Sequence, residues 1–430
     1  MVHIPTNDIC TFRTSIGPTN LTHSPGHTLM IDPHPVRIAA ALLVAAAFCI
    51  TGHPAAADDA PFHQAELIFP LNEQHNHAPG VAELADGELF VSWYRGSGER
   101  SADDVAVYGA RKKSGDSHWT EPQVLVDTPG FPDCNTCLMV DGDGALWLFW
   151  PVIIANSWES CITHYLVADA PTGDGVPQWT RNGSILLKPD DFEQQALDIL
   201  ETYLAQLDRE LTPREQAGLA EIKSRLGQKL YQRLGWQPRC KPTLLPSGRI
   251  LLPLYSDTYS FSLMAISDDG GETWFASEPL IGFGNIQPAV LRRTDGTLVA
   301  YMRENGPRDR IRVAESNDDG LTWGPVGVSD LPNPGSGLDG LVLESGAWLL
   351  IYNDTTQGRS SLAASLSDDE GQSWTVTRHL EQDESGRYHY PCVIQSRNGT
   401  IHCVYSYFVE GGKSMKHAAF NESWIRAGDE

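Results

Sequence analysis

Polar and charged side chains recur just ahead of apolar runs in this chain. The cluster His75-Asn76-His77 precedes Ala78-Pro79, and Arg239 and Lys241 precede Pro242. Asp339 follows Leu338, and Tyr388 and Tyr390 precede Pro391. Arg303 closes the run Leu298-Val-Ala-Tyr-Met-Arg303, and Arg359 follows Tyr352-Asn-Asp-Thr-Thr-Gln-Gly. A planar guanidinium matches a carboxylate through two parallel hydrogen bonds, so several arginines facing one point make an anion site. Arg239 and Lys241 would add to such a site, and Asp339 places a carboxylate at the analogous position. These residues must be brought together by the elements that follow them.

Those elements form a repeat. Ser-x-Asp-x-Gly-x-Thr-Trp occurs as Ser267-Asp-Asp269-Gly-Gly271-Glu-Thr273-Trp274 and as Ser316-Asn-Asp318-Asp-Gly320-Leu-Thr322-Trp323. A third copy, with Ser for Thr, is Ser367-Asp-Asp369-Glu-Gly371-Gln-Ser373-Trp374. The copies lie about 50 residues apart, a period typical of stacked or radial repeats. Eroded copies end at Trp119 and Trp179. The Asp suits a tight loop as acceptor of backbone N–H groups, the Gly supplies positive φ, and the Trp packs onto the sheet. Each unit opens with an apolar run, a Gly turn and a second run, as in Pro242-Thr-Leu-Leu-Pro-Ser-Gly248-Arg-Ile-Leu-Leu. Others start at Pro79, Cys137, Pro288, Leu338 and Pro391. Six units of short strands predict an all-β, six-bladed propeller. A strand near 65–69 is expected to complete the last blade.

One insertion breaks the period. Thr212-Pro213-Arg-Glu215 is a capping box with Pro at the first helical position. Leu219, Ile222, Leu226 and Leu230 continue at helical spacing, as do Leu197, Leu200, Leu204, Leu207 and Leu211 before it. A helical hairpin is expected at about 191–233.

Residues 38–50 are continuously apolar, with Arg37 before them and Ala55-Ala56-Ala57 after. That order is a secretory signal, too short to span a bilayer of ~20 helical residues. Residues 1–57 are therefore read as an extension and signal, 58–430 as the propeller, and the mature protein as secreted or periplasmic without a membrane anchor. With 31 Lys and Arg against 55 Asp and Glu, the net charge of −24 argues against nucleic acid as a partner. A monomer acting on a glycan is expected. Cys134-x-x-Cys137 lacks the second pair a structural zinc needs, so no metal is read from it, and with no Gly-x-x-x-x-Gly-Lys loop, Gly-x-Ser-x-Gly elbow or His-Glu-x-x-His motif no cofactor is implied. The cysteines after residue 57 are read as buried thiols or disulfides, with Cys392 and Cys403 able to face each other across two strands.

The Asp-boxes on a six-unit repeat resemble the sialidase (neuraminidase) superfamily, specifically bacterial BNR-repeat proteins. Gly284-Asn-Ile-Gln-Pro288, Leu331-Pro-Asn-Pro-Gly-Ser-Gly337 and Tyr388-His-Tyr-Pro391 with Ser414-Met-Lys-His417 carry the resemblance further. It implies three arginines on a substrate carboxylate, a Tyr nucleophile paired with Glu, and an Asp acid/base. By position, Arg303 and Arg359 match two of the arginines and Tyr390 the nucleophile. The first arginine is replaced by His77 and the glutamate by Gln287. Glu99, Asp103 and Asp104 lie where the acid/base is expected. A Tyr with pKa ~10 needs a base to attack, and Gln cannot serve as one.

Three functions follow. The first is a glycosidase releasing a terminal acidic sugar, with Arg303, Arg359, Arg239, Gln287, Asp339 and Tyr388 around the substrate. In it Tyr390 acts as nucleophile or stabiliser, Glu99 or Asp103 as acid, and His77 bonds the sugar. The second is a uronate lyase using His77 and Tyr390. The third is a carbohydrate-binding propeller without turnover.

Overall fold

In the computed structural model, residues 60–206 and 209–429 are described. The proposed signal segment lies outside them. Six antiparallel sheets follow one another along the chain. The first blade comprises His75–Glu83, Leu89–Gly96, Ala106–Lys112 and Gln123–Val126. The second runs from Cys137–Val140 to Arg181–Ile185 and the third from Gln237–Pro238 to Phe275–Ala276. The fourth runs from Asn285–Arg292 to Gly327–Pro332 and the fifth from Asp339–Val342 to Val376–Gln382. The sixth contains Arg387–Gln395, Ile401–Val409 and Gly412–Phe420, and His63–Leu67 is its outer strand. That strand pairs antiparallel with Gly412–Phe420, His63 opposite Phe420 and Leu67 opposite Lys416. The ring closes by joining the two ends of the described chain within one blade.

The core sits between blades. Leu138, Leu148 and Phe90 pack blade one against two, and Trp147, Phe149 and Leu263 pack two against three. Leu251, Leu298 and Met302 join three to four, and Tyr301, Trp348 and Leu350 join four to five. Leu349, Val393 and Tyr405 join five to six, and Val81, Trp93 and Val404 join six back to one.

The Asp-boxes fasten these seams. Asp269 Oδ1 accepts from Ser267 Oγ at 2.9 Å and from the Thr273 backbone at 2.9 Å, while Gly271 N donates to Ser267 Oγ at 2.8 Å. The Thr273 hydroxyl and backbone hold the Asp269 carboxyl down at about 2. Gly271 has φ +91°, and a Cβ there would meet Trp147 of the preceding blade at 2.3 Å. Gly371 would likewise strike Tyr301 of the preceding blade at 2.2 Å. The glycine is thus required by interblade contact as well as by its φ.

The insertion forms helices α1 (Phe192–Ala205), α2 (Pro213–Leu226) and α3 (Lys229–Arg233). The Thr212 capping box is complete in both directions. Helix α1 ends at Ala205, Leu207 lies outside the described residues, and Leu211 lies in the connection. Phe192, Ala196 and Leu226 bury against Trp236 and Tyr259 of the blade-three region. Cys134, Cys137, Cys161, Cys240, Cys392 and Cys403 are buried free thiols, so Cys392 and Cys403 form no disulfide. In the ladder Cys392 faces Val404 and Cys403 faces Val393, so the two cysteines do not stand directly opposite each other.

Candidate functional site

Three inner strands begin with the same irregularity. Register shifts occur between His77 and Gly80, between Ile286 and Ala289, and between His389 and Cys392. Within them Ala78, Gln287 and Tyr390 take φ of +51°, +58° and +57°, each directly before a proline. A bulge re-aims one side chain, and a bulky residue at positive φ before Pro is strained. Here the bulges deliver Gln287 and Tyr390 to a common point near the axis.

At that point Arg303 Nη1 donates to Tyr390 Oη at 2.7 Å and Gln287 Nε2 donates to the same oxygen at 3.2 Å. Negative charge developing there meets two donors. The guanidinium carbons of Arg239, Arg359 and Arg303 lie 4.8, 5.7 and 6.0 Å from the Tyr390 ring centre. The His77 ring stacks on Tyr390 at 4.3 Å, and its Nδ1 lies 2.7 Å from Ser406 Oγ. Burial, reinforced by His389 and the nearby arginines, pushes His77 well below its ordinary value, so its imidazole is neutral. Gly337 makes room for the tyrosine, since a Cβ there would meet Tyr390 Cδ1 at 2.6 Å.

Arg359 is fixed from behind. Arg359 Nη2 donates to Gly335 O at 2.8 Å. Arg303 is followed by Glu304, which pairs with Arg312 at 3.3 Å with both side chains 2% exposed. Burial raises Glu304 and lowers Arg312, so desolvation outweighs their attraction. Such a pair specifies geometry more than it stabilises.

A cavity of about 240 Å³ opens on these groups. Arg303, Arg359, Tyr390 and His77 line it together with Tyr94, Glu99, Asn135, Trp158, Tyr255 and Asp257. Glu99 Oε1 accepts from Tyr94 Oη at 2.9 Å and lies 3.1 Å from His75 Nε2, and Arg100 sits 3.6 Å from its other oxygen. Burial works to raise Glu99, but the hydrogen bonds from His75 and Tyr94 and the charge of Arg100 prevail and hold it below the ordinary value. Across the cavity, Gln237 Nε2 donates to Asp257 Oδ2 at 3.0 Å, and Asn135 Nδ2 donates to Gln237 Oε1 at 2.9 Å. Burial pushes Asp257 up, against the opposing charges of Arg303 and Arg100.

The structure brings Arg303, Arg359, Tyr390, His77, Gln287 and Glu99 together. The other candidates lie elsewhere. Arg239 is buried against the Tyr390 ring, outside the cavity lining, with Nη2 on Pro391 O at 2.7 Å. Asp339 is buried and bonded to Lys241 at 2.7 Å, so the pair neutralises itself off the cavity. Asp103 is exposed and accepts from Asn156, and Asp104 accepts from Ser97. Tyr388 is buried against Tyr407 in the seam between blades five and six.

Five lining residues escape the sequence reading: Tyr94, Asn135, Trp158, Tyr255 and Asp257. Tyr94 and Tyr255 stand opposite His77 and Gln237, as Arg303 stands opposite Ile286. In blades one, three and four the end of the second strand thus carries a cavity residue.

This is a six-bladed Asp-box propeller with a polar cavity on its axis. A BNR repeat-like domain model matches residues 237–403. A sialidase of Micromonospora viridifaciens is 28% identical over 169 residues, which are 37% of this chain and 25% of that protein. The matched stretch is thus about a quarter of the curated relative's length. Among solved structures, a protein of unknown function from Dyadobacter fermentans aligns with TM-score 0.62 at 17% identity, covering 83% of this chain and 98% of that one. The NanB sialidase of Streptococcus pneumoniae aligns with TM-score 0.62 at 12% identity, covering 84% and 71%. What the chain shares with these proteins is the BNR repeat-like stretch at residues 237–403 and the propeller fold.

Proposed function

We propose that this protein is an exported glycoside hydrolase of the sialidase type that removes a terminal acidic sugar from glycans. The observation that carries the reading is the convergence of Arg303 and Arg359 on one cavity with Tyr390. Two guanidiniums facing one small polar space suit a sugar carboxylate. Tyr390 then lies beside the anomeric carbon, its oxygen held by Arg303 and Gln287. His77 contributes a neutral imidazole to the sugar. No helix among the described residues is long and apolar enough to cross a membrane.

Kinetics of Arg303→Ala and Arg359→Ala on sialylated and uronate-bearing glycans test this. Loss of less than tenfold in kcat/KM for both variants contradicts it.

A second reading, a uronate lyase, has one observation in its favour. Gln287 donates to Tyr390 where a hydrolase of this family would hold a base, and the neutral His77 stacked beside it could take a proton from carbon. An unsaturated product, seen by its ultraviolet absorbance, would select it.

A further inference from the structure

The hydrolase reading leaves one role open: a group that protonates the leaving oxygen. We infer that Asp257 is this proton donor, its Oδ1 giving a proton to the glycosidic oxygen as the bond to the acidic sugar breaks. The inference rests on the proposed hydrolysis and assigns a residue within it.

Two carboxyl groups line the cavity, and their surroundings are opposite. Glu99 is occupied: Tyr94 and His75 hold Oε1, and Arg100 faces Oε2. A carboxylate so surrounded by donors has little tendency to carry a proton of its own. Asp257 is anchored through one oxygen only. Gln237 donates to Oδ2, and Asn135 fixes Gln237, which leaves Oδ1 without a hydrogen-bond partner among the described residues. The Asn135 amide also bonds Tyr255 Oη at 3.1 Å, so the support is rigid. Asp257 therefore presents one free oxygen to the cavity from a fixed frame, which is the geometry a general acid needs. Burial favours its protonated form, against Arg303 and Arg100 and with Glu159 and Glu99. Environments that push two carboxyls apart in this way mark acid and base roles.

The step balances. The bond from the anomeric carbon to the bridging oxygen breaks, and its electron pair goes to that oxygen. The oxygen takes the Asp257 proton and leaves as an alcohol. Water adds to the anomeric carbon, stabilised meanwhile by the Tyr390 oxygen, and returns a proton to the Asp257 carboxylate. One water is consumed per bond broken.

The test compares leaving groups. Wild type, Asp257→Asn and Glu99→Gln are assayed on the 4-methylumbelliferyl glycosides of N-acetylneuraminic and glucuronic acid, and on sialyllactose and a glucuronyl disaccharide. An aryl leaving group departs without protonation and an alcohol does not. D257N is expected to lose about 10²–10⁴-fold in kcat/KM on the oligosaccharide but less than tenfold on the aryl glycoside. It should also lose the high-pH limb of the wild-type profile. Equal losses on both substrates in a variant that unfolds at the wild-type temperature would overturn the assignment. So would the leaving-group pattern appearing in E99Q instead. Should D257N unfold early, Asp257→Ser takes its place with the same criteria. A wild type that hydrolyses neither class of substrate removes the hydrolase reading itself, and the assignment with it.

Discussion

The cavity has two halves of different make. Blades four to six supply Arg303, Arg359 and Tyr390, and blades one to three supply Glu99, Asn135, Trp158 and Asp257. In the cationic half Arg303 lies near a strand end, Arg359 lies in the loop between the second and third strands of its blade, and Gln287 and Tyr390 stand at bulged inner-strand starts with positive φ before proline. The acidic half comes largely from loops between second and third strands, cross-braced by Gln237 and Asn135. On the proposed reading, one half holds the substrate anion and the other sets where protons sit. The division suggests that recognition of the carboxylate and handling of the proton are separable by mutation.

The comparison can be broken most severely at Arg312. Arg312→Met leaves the Glu304 carboxyl buried without its ion-pair partner, and loss of one partner of such a pair costs about 3–5 kcal/mol. Chemical unfolding should show that loss. Replacing both partners together, Glu304→Met with Arg312→Met, should recover most of it.

Next comes the clamp itself. Arg303→Ala should cost about 2.7–4 kcal/mol in transition-state stabilisation, or 10²–10³ in kcat, while leaving the unfolding temperature near wild type. Steady-state kinetics beside thermal unfolding check both halves of that statement.

Gly337→Ala is a finer probe. The added methyl strikes Tyr390 Cδ1 and approaches Gln287 Oε1 at 3.0 Å, without any unfavourable φ of its own. Overpacking of this kind costs about 1–3 kcal/mol. Activity should fall through displacement of Tyr390, and a crystal structure of the variant should show the ring moved.

The smallest effect concerns the seam where the halves meet. Glu66, on the closing strand, bonds Lys112 and lies 3.2 Å from Trp119 Nε1 in blade one, and 3.4 Å from His417 in blade six. Burial works to raise its carboxyl, but the hydrogen bonds from His417 and Lys112 draw it down to about 2. A carboxyl depressed on folding stabilises above its unfolded pKa, and that contribution fades as pH falls towards the folded value. Glu66→Gln should therefore lower stability by roughly 1 kcal/mol near neutral pH, allowing for solvent screening. The gap from wild type should close as pH falls towards about 2.

The two halves differ in how legible they are in the sequence, for a physical reason. Three intact Asp-boxes fall in blades three to five, and their Ser, Asp, Gly and Trp are each demanded by one local loop. Blade count and insertion were legible from those boxes and from the Thr212 capping box. Arg303 and Tyr390 were legible because they adjoin apolar runs and prolines. Asp339 and Tyr388 were misleading for the same cause: position near an inner-strand start does not say which way a side chain turns. Asp339 turns to Lys241 and Tyr388 into a seam. Asp257 and Asn135 matter through long-range partners, as Asn135 bonds Gln237 from 102 residues away. No local pattern announces such a contact.

The central claim is hydrolysis at the Arg303–Tyr390 cavity. The most direct measurement is mass spectrometry of products after purified protein, from Asp58 onward, meets sialylated and uronate-containing glycans. The account predicts fragments whose masses sum to the substrate plus one water, with an acidic monosaccharide among them. Fragments summing to the substrate alone would mean elimination and contradict it.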